Sequence, residues 1–224
     1  MDLIIINQPR VFPYRRGYQI AKRVMDLALC LLAMPLVLPL LVICALAVRI
    51  DSPGPVIFVQ ERIGKGGRRF RLYKFRTMQH NLDASQHRDF MKAFVNGRVG
   101  GDENGRAIYK PFQASQVTRV GRILRKTSLD ELPQLINVLR GEMSLVGPRP
   151  NVRWEFEEYK GWHNERLEVL PGITGLAQVR GRSGINFDSI VKYDIEYIER
   201  QSLALDFKIL WWTLLSVFLG TGAE

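Results

Sequence analysis

The side chains best suited to chemistry stand together in Thr127-Ser128-Leu129-Asp130-Glu131-Leu132-Pro133-Gln134, followed by Gly147-Pro148-Arg149-Pro150. Two adjacent carboxylates can divide a task. An ionised aspartate is a nucleophile, and its neighbour can hold a hard divalent cation of the kind that suits diphosphate chemistry. Arg149, fixed between two prolines, offers a guanidinium fork that matches phosphate oxygens. A non-catalytic reading is open on the same residues, because Ser128 and Glu131 have the spacing of a helix capping box. Pro133 weakens it: with Ser128 as N-cap, Pro133 falls at the fifth helical position, where its missing donor is needed. A helix that starts at Asp130 puts Pro133 in the first turn, where proline is tolerated. Both carboxylates then lie at the positive end of the helix dipole, which favours their ionised forms.

The elements that must position these groups are short. Val56-Ile57-Phe58-Val59, then Gly64-Lys65-Gly66-Gly67, then Phe70-Arg71-Leu72-Tyr73 read as a β-hairpin around a glycine-rich turn. Leu132 to Arg140 reads as a helix, and Ile190 to Arg200 as another with Ile190, Tyr193, Asp194 and Tyr197 on one face. Gln79 to Ser115 is polar and aperiodic, so it reads as a long loop over the site with a short helix at Phe90 to Phe94. The expected fold class is α+β, with one mixed catalytic domain over residues 51–205.

Outside that domain the chain changes character. Leu27 to Val48 carries no charge, whereas Arg49 to Arg76 holds eight Lys or Arg against Asp51 and Glu61. The 22-residue run is long enough to cross a bilayer core, which takes about 20 apolar residues. It is too long and starts too late for a signal peptide, although Ala45-Leu46-Ala47 imitates a cleavage site. Pro35 and Pro39 predict a kink or break near its middle. Both flanks are basic, with Arg10, Arg15, Arg16, Lys22 and Arg23 before the run, and cationic flanks favour the cytoplasmic side. Two readings stay open: a single span, or a proline-broken re-entrant helix over residues 22–50 after a basic segment at 1–21. At the other end, Ile209 to Gly220 is uncharged, contains Trp211, Trp212 and Phe218, and is too short to span. Residues 206–224 therefore read as an interfacial helix on the headgroups, with a buried core helix as the alternative.

The formal net charge of +10 calls for an anionic partner: nucleic acid, a phospholipid surface or a phosphate-bearing substrate. The apolar run makes nucleic acid awkward, and no nucleic-acid partner is expected. A non-enzymatic basic adaptor on anionic lipid is the other rival. Cys30 and Cys44 sit fourteen positions apart in the apolar run, about 21 Å along a straight helix, too far for a disulfide. His80, His87 and His163 are scattered, and no zinc site is expected.

A wider set of segments resembles the monotopic bacterial sugar transferases, also called monotopic phosphoglycosyl transferases. The set is Lys22-Arg23-Val24-Met25-Asp26 before the membrane segment, Asp51-Ser52-Pro53-Gly54-Pro55, Gln60-Glu61-Arg62-Ile63-Gly64 and Lys74-Phe75-Arg76-Thr77-Met78. It continues with Ser128-Leu129-Asp130-Glu131-Leu132-Pro133-Gln134-Leu135, Ser144-Leu145-Val146-Gly147-Pro148-Arg149-Pro150, Pro171-Gly172-Ile173-Thr174-Gly175 and Asp194. The resemblance runs in order from about Lys22 to Ala223. It implies a ping-pong reaction on the cytoplasmic face of the bacterial inner membrane. The aspartate matching Asp130 attacks the sugar-linked phosphate of a UDP-sugar, UMP leaves, and polyprenol (undecaprenyl) phosphate takes the phosphosugar from the enzyme. It further implies that Glu131 binds Mg2+ together with Asp130, and that Lys74, Arg76, Pro148, Arg149, Arg182 and Asp194 form the substrate site. It implies a re-entrant helix broken at Pro35. Met34 stands where a serine is usual before that proline, and Arg180 where the Gln-Val-Asn-Gly-Arg run has asparagine. The stretch from Gln79 to Ser115 is longer than in the smallest relatives. The chain as given resembles the short, stand-alone form.

Overall fold

The computed structural model describes residues 15–81, 85–98, 116–181 and 185–219. Helix α1 (Arg16–Asp51) leads into the antiparallel hairpin β1 (Ile57–Ile63) and β2 (Arg69–Phe75). Then come α2 (Ser85–Val95), α3 (Arg119–Lys126), a 3-10 turn (Leu129–Gln134), α4 (Leu135–Arg140) and β3 (Ser144–Val146). The short α5 (Arg153–Phe156), a 3-10 segment (Gly161–Glu168), β4 (Gly172–Thr174), α6 (Leu176–Gly181), α7 (Phe187–Glu199) and α8 (Leu203–Leu219) complete it. Strands β3 and β4 pair in parallel, so among the described residues two small sheets sit among helices in a mixed α and β chain. The hairpin forms where the alternation and glycines predict it.

Helix α1 is 36 residues long and continues through Pro35 and Pro39 without interruption, so the expected proline break is not seen in its backbone. Both prolines lie on the exposed side, where losing single helical hydrogen bonds leaves the flanking turns intact. The helix is long and apolar enough to cross a membrane, and only 17% of its most apolar window is buried, unlike the core helix of a soluble protein. Leu31, Leu32, Leu36, Leu38, Val42, Ile43, Leu46 and Ile50 stand exposed along it.

Each half of α1 is nonetheless fastened to the elements that follow it. In the first half, Asp26 accepts from Ser144 Oγ at 2.7 Å and from the Leu145 N–H at 3.2 Å. Lys22 Nζ donates to Asp206 at 3.0 Å, and Arg23 donates to the Val138 and Leu139 carbonyls at the end of α4. There a cation satisfies acceptors that the helix itself leaves over. In the second half, Cys44 and Val48 pack on Phe75 and Leu124, and the Val120 N–H donates to Asp51 at 2.9 Å. The two cysteines are free and buried in different clusters.

Two expectations are revised. The short helix expected at Phe90 to Phe94 is present but longer: α2 spans Ser85–Val95 and buries Met91, Phe94 and Val95 against Phe187, Val191 and Ile195. Its first turn, Ser85 to Asp89, is polar, which hid the start of the helix. Residues 99–115 lie outside the described residues. The C-terminal helix begins at Leu203, and its inner side is core: Asp206 and Ile209 are fully buried. Its outer side exposes Phe207, Trp211, Leu214, Leu215 and Val217, while its inner side packs as a core helix does.

Candidate active site

The dyad is built at a left-handed corner. Thr118 caps α3 by accepting from the Gly121 N–H, and at the other end of α3 Ser128 takes φ 56°, a conformation costly for a residue with a side chain. The chain thereby turns into the 3-10 segment Leu129–Gln134, which carries Asp130 and Glu131, and only then into α4. The expected α-helix from Asp130 is thus a 3-10 turn first. The capping box does not form either, since Ser128 makes no side-chain capping bond. Pro133 agrees with both findings, since a short 3-10 turn asks less of its missing donor than an α-helical interior does.

Asn137, fully buried in α4, fixes this turn against β2. Its amide donates to the Arg71 carbonyl at 2.6 Å and to Glu142 at 2.7 Å, and its Oδ1 accepts from the Tyr73 N–H at 3.3 Å. Gly141, at φ 77°, ends α4 in the left-handed conformation that glycine adopts without strain. The register set by Asn137 brings the next residue of β2, Lys74, to the dyad: its Nζ lies 2.6 Å from Glu131 Oε1. Arg149 approaches the same oxygen at 3.7 Å.

Arg149 is presented by a rigid turn. Pro148 and Pro150 are buried while Arg149 is about half exposed. The turn lies tight on β4: the Gly147 N–H donates to Thr174 O and the Gly172 N–H donates to Pro148 O. A Cβ on Gly147 would stand 2.4 Å from Leu170 O, and one on Gly172 would stand 2.1 Å from Gly147 N. The two glycine motifs therefore meet by close approach of backbones.

Burial pushes the Asp130 carboxyl above its usual range, with Lys74, Arg125 and Arg149 pulling the other way and Glu131 adding to the rise. Burial also opposes charge on Glu131, but there the Lys74 and Arg149 cations prevail and hold it below the usual range. Burial presses the Lys74 ammonium down against the pull of Glu131. The neighbours thus differ: Glu131 is a paired carboxylate, and Asp130 a more basic one. The expectation that ionisation is favoured at both is corrected at Asp130, which burial raises.

Of the other predicted site residues, Arg76 is buried and donates to the Ser52 and Pro53 carbonyls at 2.6 and 2.7 Å, a tie between β2 and the end of α1. Asp194 is buried in α7 and ion-paired with Arg166 at 2.6 Å, so it meets the site only through another residue. Arg182 lies outside the described residues. Sequence reasoning missed Arg125, whose charge is felt at Asp130 and whose Nε donates to Thr77 Oγ1 at 3.0 Å. Thr118, an N-cap before an amphipathic basic segment, was the signal for its helix.

Two carboxylates on one turn suit magnesium, which commonly takes one or two carboxylates and fills its shell with water and substrate phosphates. Among the described residues there is no group of three or more His, Cys, Asp or Glu that could form a closed metal cage.

The family description "Bacterial sugar transferase" matches residues 17–220. The chain is 41% identical over 212 residues to the galactosyl transferase CpsE of Streptococcus agalactiae serotype III, covering 94% of this chain and 45% of that protein. It is 41% identical over 211 residues to a UDP-glucose:undecaprenyl-phosphate glucose-1-phosphate transferase of Caulobacter vibrioides, covering 91% of this chain and 72% of the relative. It is 37% identical over 204 residues to the exopolysaccharide production protein ExoY of Sinorhizobium fredii, covering 91% and 88%. The chain thus spans less than half of CpsE but most of ExoY. With its family match running from the start of α1 to the end of α8, the chain belongs to the bacterial sugar transferases.

Proposed function

We propose that this protein is a phosphoglycosyl transferase that moves a sugar-1-phosphate from a UDP-sugar to undecaprenyl phosphate at the cytoplasmic face of the inner membrane. The observation that carries this reading is the Asp130-Glu131 turn with Lys74 and Arg149 on one carboxylate and Arg125 near the other. Cations so gathered suit a diphosphate, whose negative charge they offset through charge-assisted hydrogen bonds.

In the first half-reaction an Asp130 oxygen attacks the sugar-linked phosphorus. The bond from that phosphorus to the bridging oxygen breaks, and UMP leaves with the electron pair. In the second, a phosphate oxygen of undecaprenyl phosphate attacks the same phosphorus and the aspartyl bond breaks, restoring the carboxylate. Burial suits Asp130 to this role by raising its basicity, and with it its nucleophilicity. Lys74 and Arg149 orient the diphosphate, and Glu131 holds these cations at the dyad. Asp130 and Glu131 are the residues that would hold Mg2+, which when bound supplies charge neutralisation on the diphosphate and the leaving group.

The membrane placement is supported by the two fastenings of α1. Lys22 and Asp51 are 29 positions apart, about 43 Å along a straight helix, more than the ~30 Å hydrocarbon layer. Lys22 meets α8 and Asp51 meets α3, which counts against a span that puts the two ends on opposite sides; the re-entrant course rests on the basic flanks and needs α1 to bend at its prolines within the membrane, a bend its backbone does not have here. The exposed outer face of α8, with Trp211, suits the headgroup layer. Incubation of the purified protein with a set of UDP-sugars, undecaprenyl phosphate and magnesium tests the reading: UMP appears with at least one sugar, and addition of excess chelator depresses its release. No UMP with any sugar counts against the transferase, and unchanged release under chelation counts against the metal.

A further inference from the structure

The Pro148–Asn151 turn that presents Arg149 is held at every carbonyl. Pro148 O accepts from the Gly172 N–H, Arg149 O from Arg166 Nη2 at 3.0 Å, Pro150 O from Arg62 Nη1 at 3.0 Å and Asn151 O from the Ile63 N–H. Arg166 also donates from Nη1 to the Asn151 side chain at 2.8 Å and to the Tyr159 hydroxyl at 3.1 Å. It is 2% exposed, lies over the Phe187 ring, and its charge is matched by the equally buried Asp194 at 2.6 Å. We propose that Arg166 is a positioning residue for the reaction, a buried guanidinium that fixes the Arg149 backbone so that the Arg149 side chain meets the diphosphate beside Glu131. This rests on the reading of Arg149 as a phosphate ligand.

A guanidinium suits the task because it offers five donors in a rigid planar fork, and here one fork reaches the backbone of Arg149 and the side chain of Asn151 together. Lysine at the same place keeps the charge opposite Asp194 but cannot hold these acceptors in a plane. Asp194 then acts two steps from the substrate, through Arg166 and the Arg149 carbonyl. A buried arginine needs such a partner, since an unpaired charge there carries a large desolvation cost. The arrangement accounts for a buried carboxylate in α7 bearing on a phosphate site it does not touch.

The test is a double-mutant cycle on the full-length protein, with UDP plus magnesium as the probe and binding measured by calorimetry. Arg149→Ala is expected to weaken UDP binding by about tenfold or more, the size of a lost charge-assisted contact. Arg166→Lys alone is expected to weaken it by about tenfold, in line with the penalty for misplacing a binding group. In the Arg149→Ala background, Arg166→Lys should cause no further loss, because the residue it positions is gone. An equal loss in both backgrounds, or wild-type binding by Arg166→Lys, overturns the proposal, since damage unrelated to Arg149 ignores the Arg149 background. If Arg166→Lys does not fold, Asn151→Ala removes one of the Arg166 bonds and leaves the ion pair. It enters the same cycle with the same two outcomes. Failure of the wild-type protein to bind UDP contradicts the reading of the site itself and is distinguishable from additive losses, which contradict only the role of Arg166.

Discussion

Lys74 Nζ and Glu131 Oε1 lie 2.6 Å apart although 57 positions separate them in the chain, and both side chains are largely shielded from water. The pairing helps hold the Glu131 carboxyl below its usual range against burial and leaves a cation at the dyad. Lys74→Met should lower the rate of UMP release by about a hundredfold or more, the usual cost of removing one charge stabiliser from a shielded site. Lys74→Arg should retain part of the activity. Equal rates for Lys74→Met and the wild type would show that the pair serves only the fold.

How much of this site could be read beforehand depends on what held it. The dyad, Arg149 and the hairpin carrying Lys74 were legible because they are local: adjacent carboxylates, a proline-locked arginine, an alternating strand beside glycines. The links between them were not. Asn137 gives no sign in the chain that its amide will tie α4 to Arg71 and Tyr73, and nothing around Arg166 marks it as the support of a turn fifteen residues earlier. The 3-10 geometry at Asp130 was hidden because helix signals do not distinguish the two helix types over six residues. The continuity of α1 past Pro35 was missed because proline's cost falls on the exposed side of a helix whose two halves are anchored separately.

The buried ion pairs should behave as structural necessities. Asp206 receives Lys22, Tyr18 and Tyr197 at 3.0, 2.8 and 2.7 Å, and Asp194 receives Arg166 at 2.6 Å. Removing either acid strands a buried cation, so Asp206→Ala and Asp194→Ala should each lose about 3–5 kcal/mol in denaturant unfolding. A loss within ~0.5 kcal/mol, the range of surface substitutions, would mean that neither pair is buried in the native protein.

His163 predicts a pH effect. Burial lowers its pKa below 6.5 despite the Asp188 contact, and its Nδ1 accepts from the Lys160 N–H at 3.2 Å, which places the proton on Nε2. The unfolded chain therefore takes up this proton at higher pH than the folded one. The stability that His163 contributes is present above about 6.5 and is lost as pH falls through the folded value. Melting temperatures of the wild type and His163→Gln, followed from pH 7.5 to 5, should converge as pH falls. A gap that widens instead would contradict the sign.

Topology is open to direct labelling. Single cysteines at Arg16 and Arg68, in a background where Cys30 and Cys44 are replaced by serine, should both resist an impermeant thiol reagent applied from the periplasm. Both positions are exposed, so protection would come from the membrane rather than from burial. Labelling at Arg16 alone would establish a span.

The central claim is that Asp130 carries the phosphosugar between the two substrates. Wild-type protein incubated with a UDP-sugar that supports UMP release, in the absence of undecaprenyl phosphate, should gain one sugar phosphate. Mass spectrometry of its peptides should place the addition on Asp130. Asp130→Asn, which keeps the shape of the side chain but cannot attack phosphorus, should show no adduct and no UMP release while retaining the wild-type melting temperature. An adduct on another residue, or turnover by Asp130→Asn, would contradict the account.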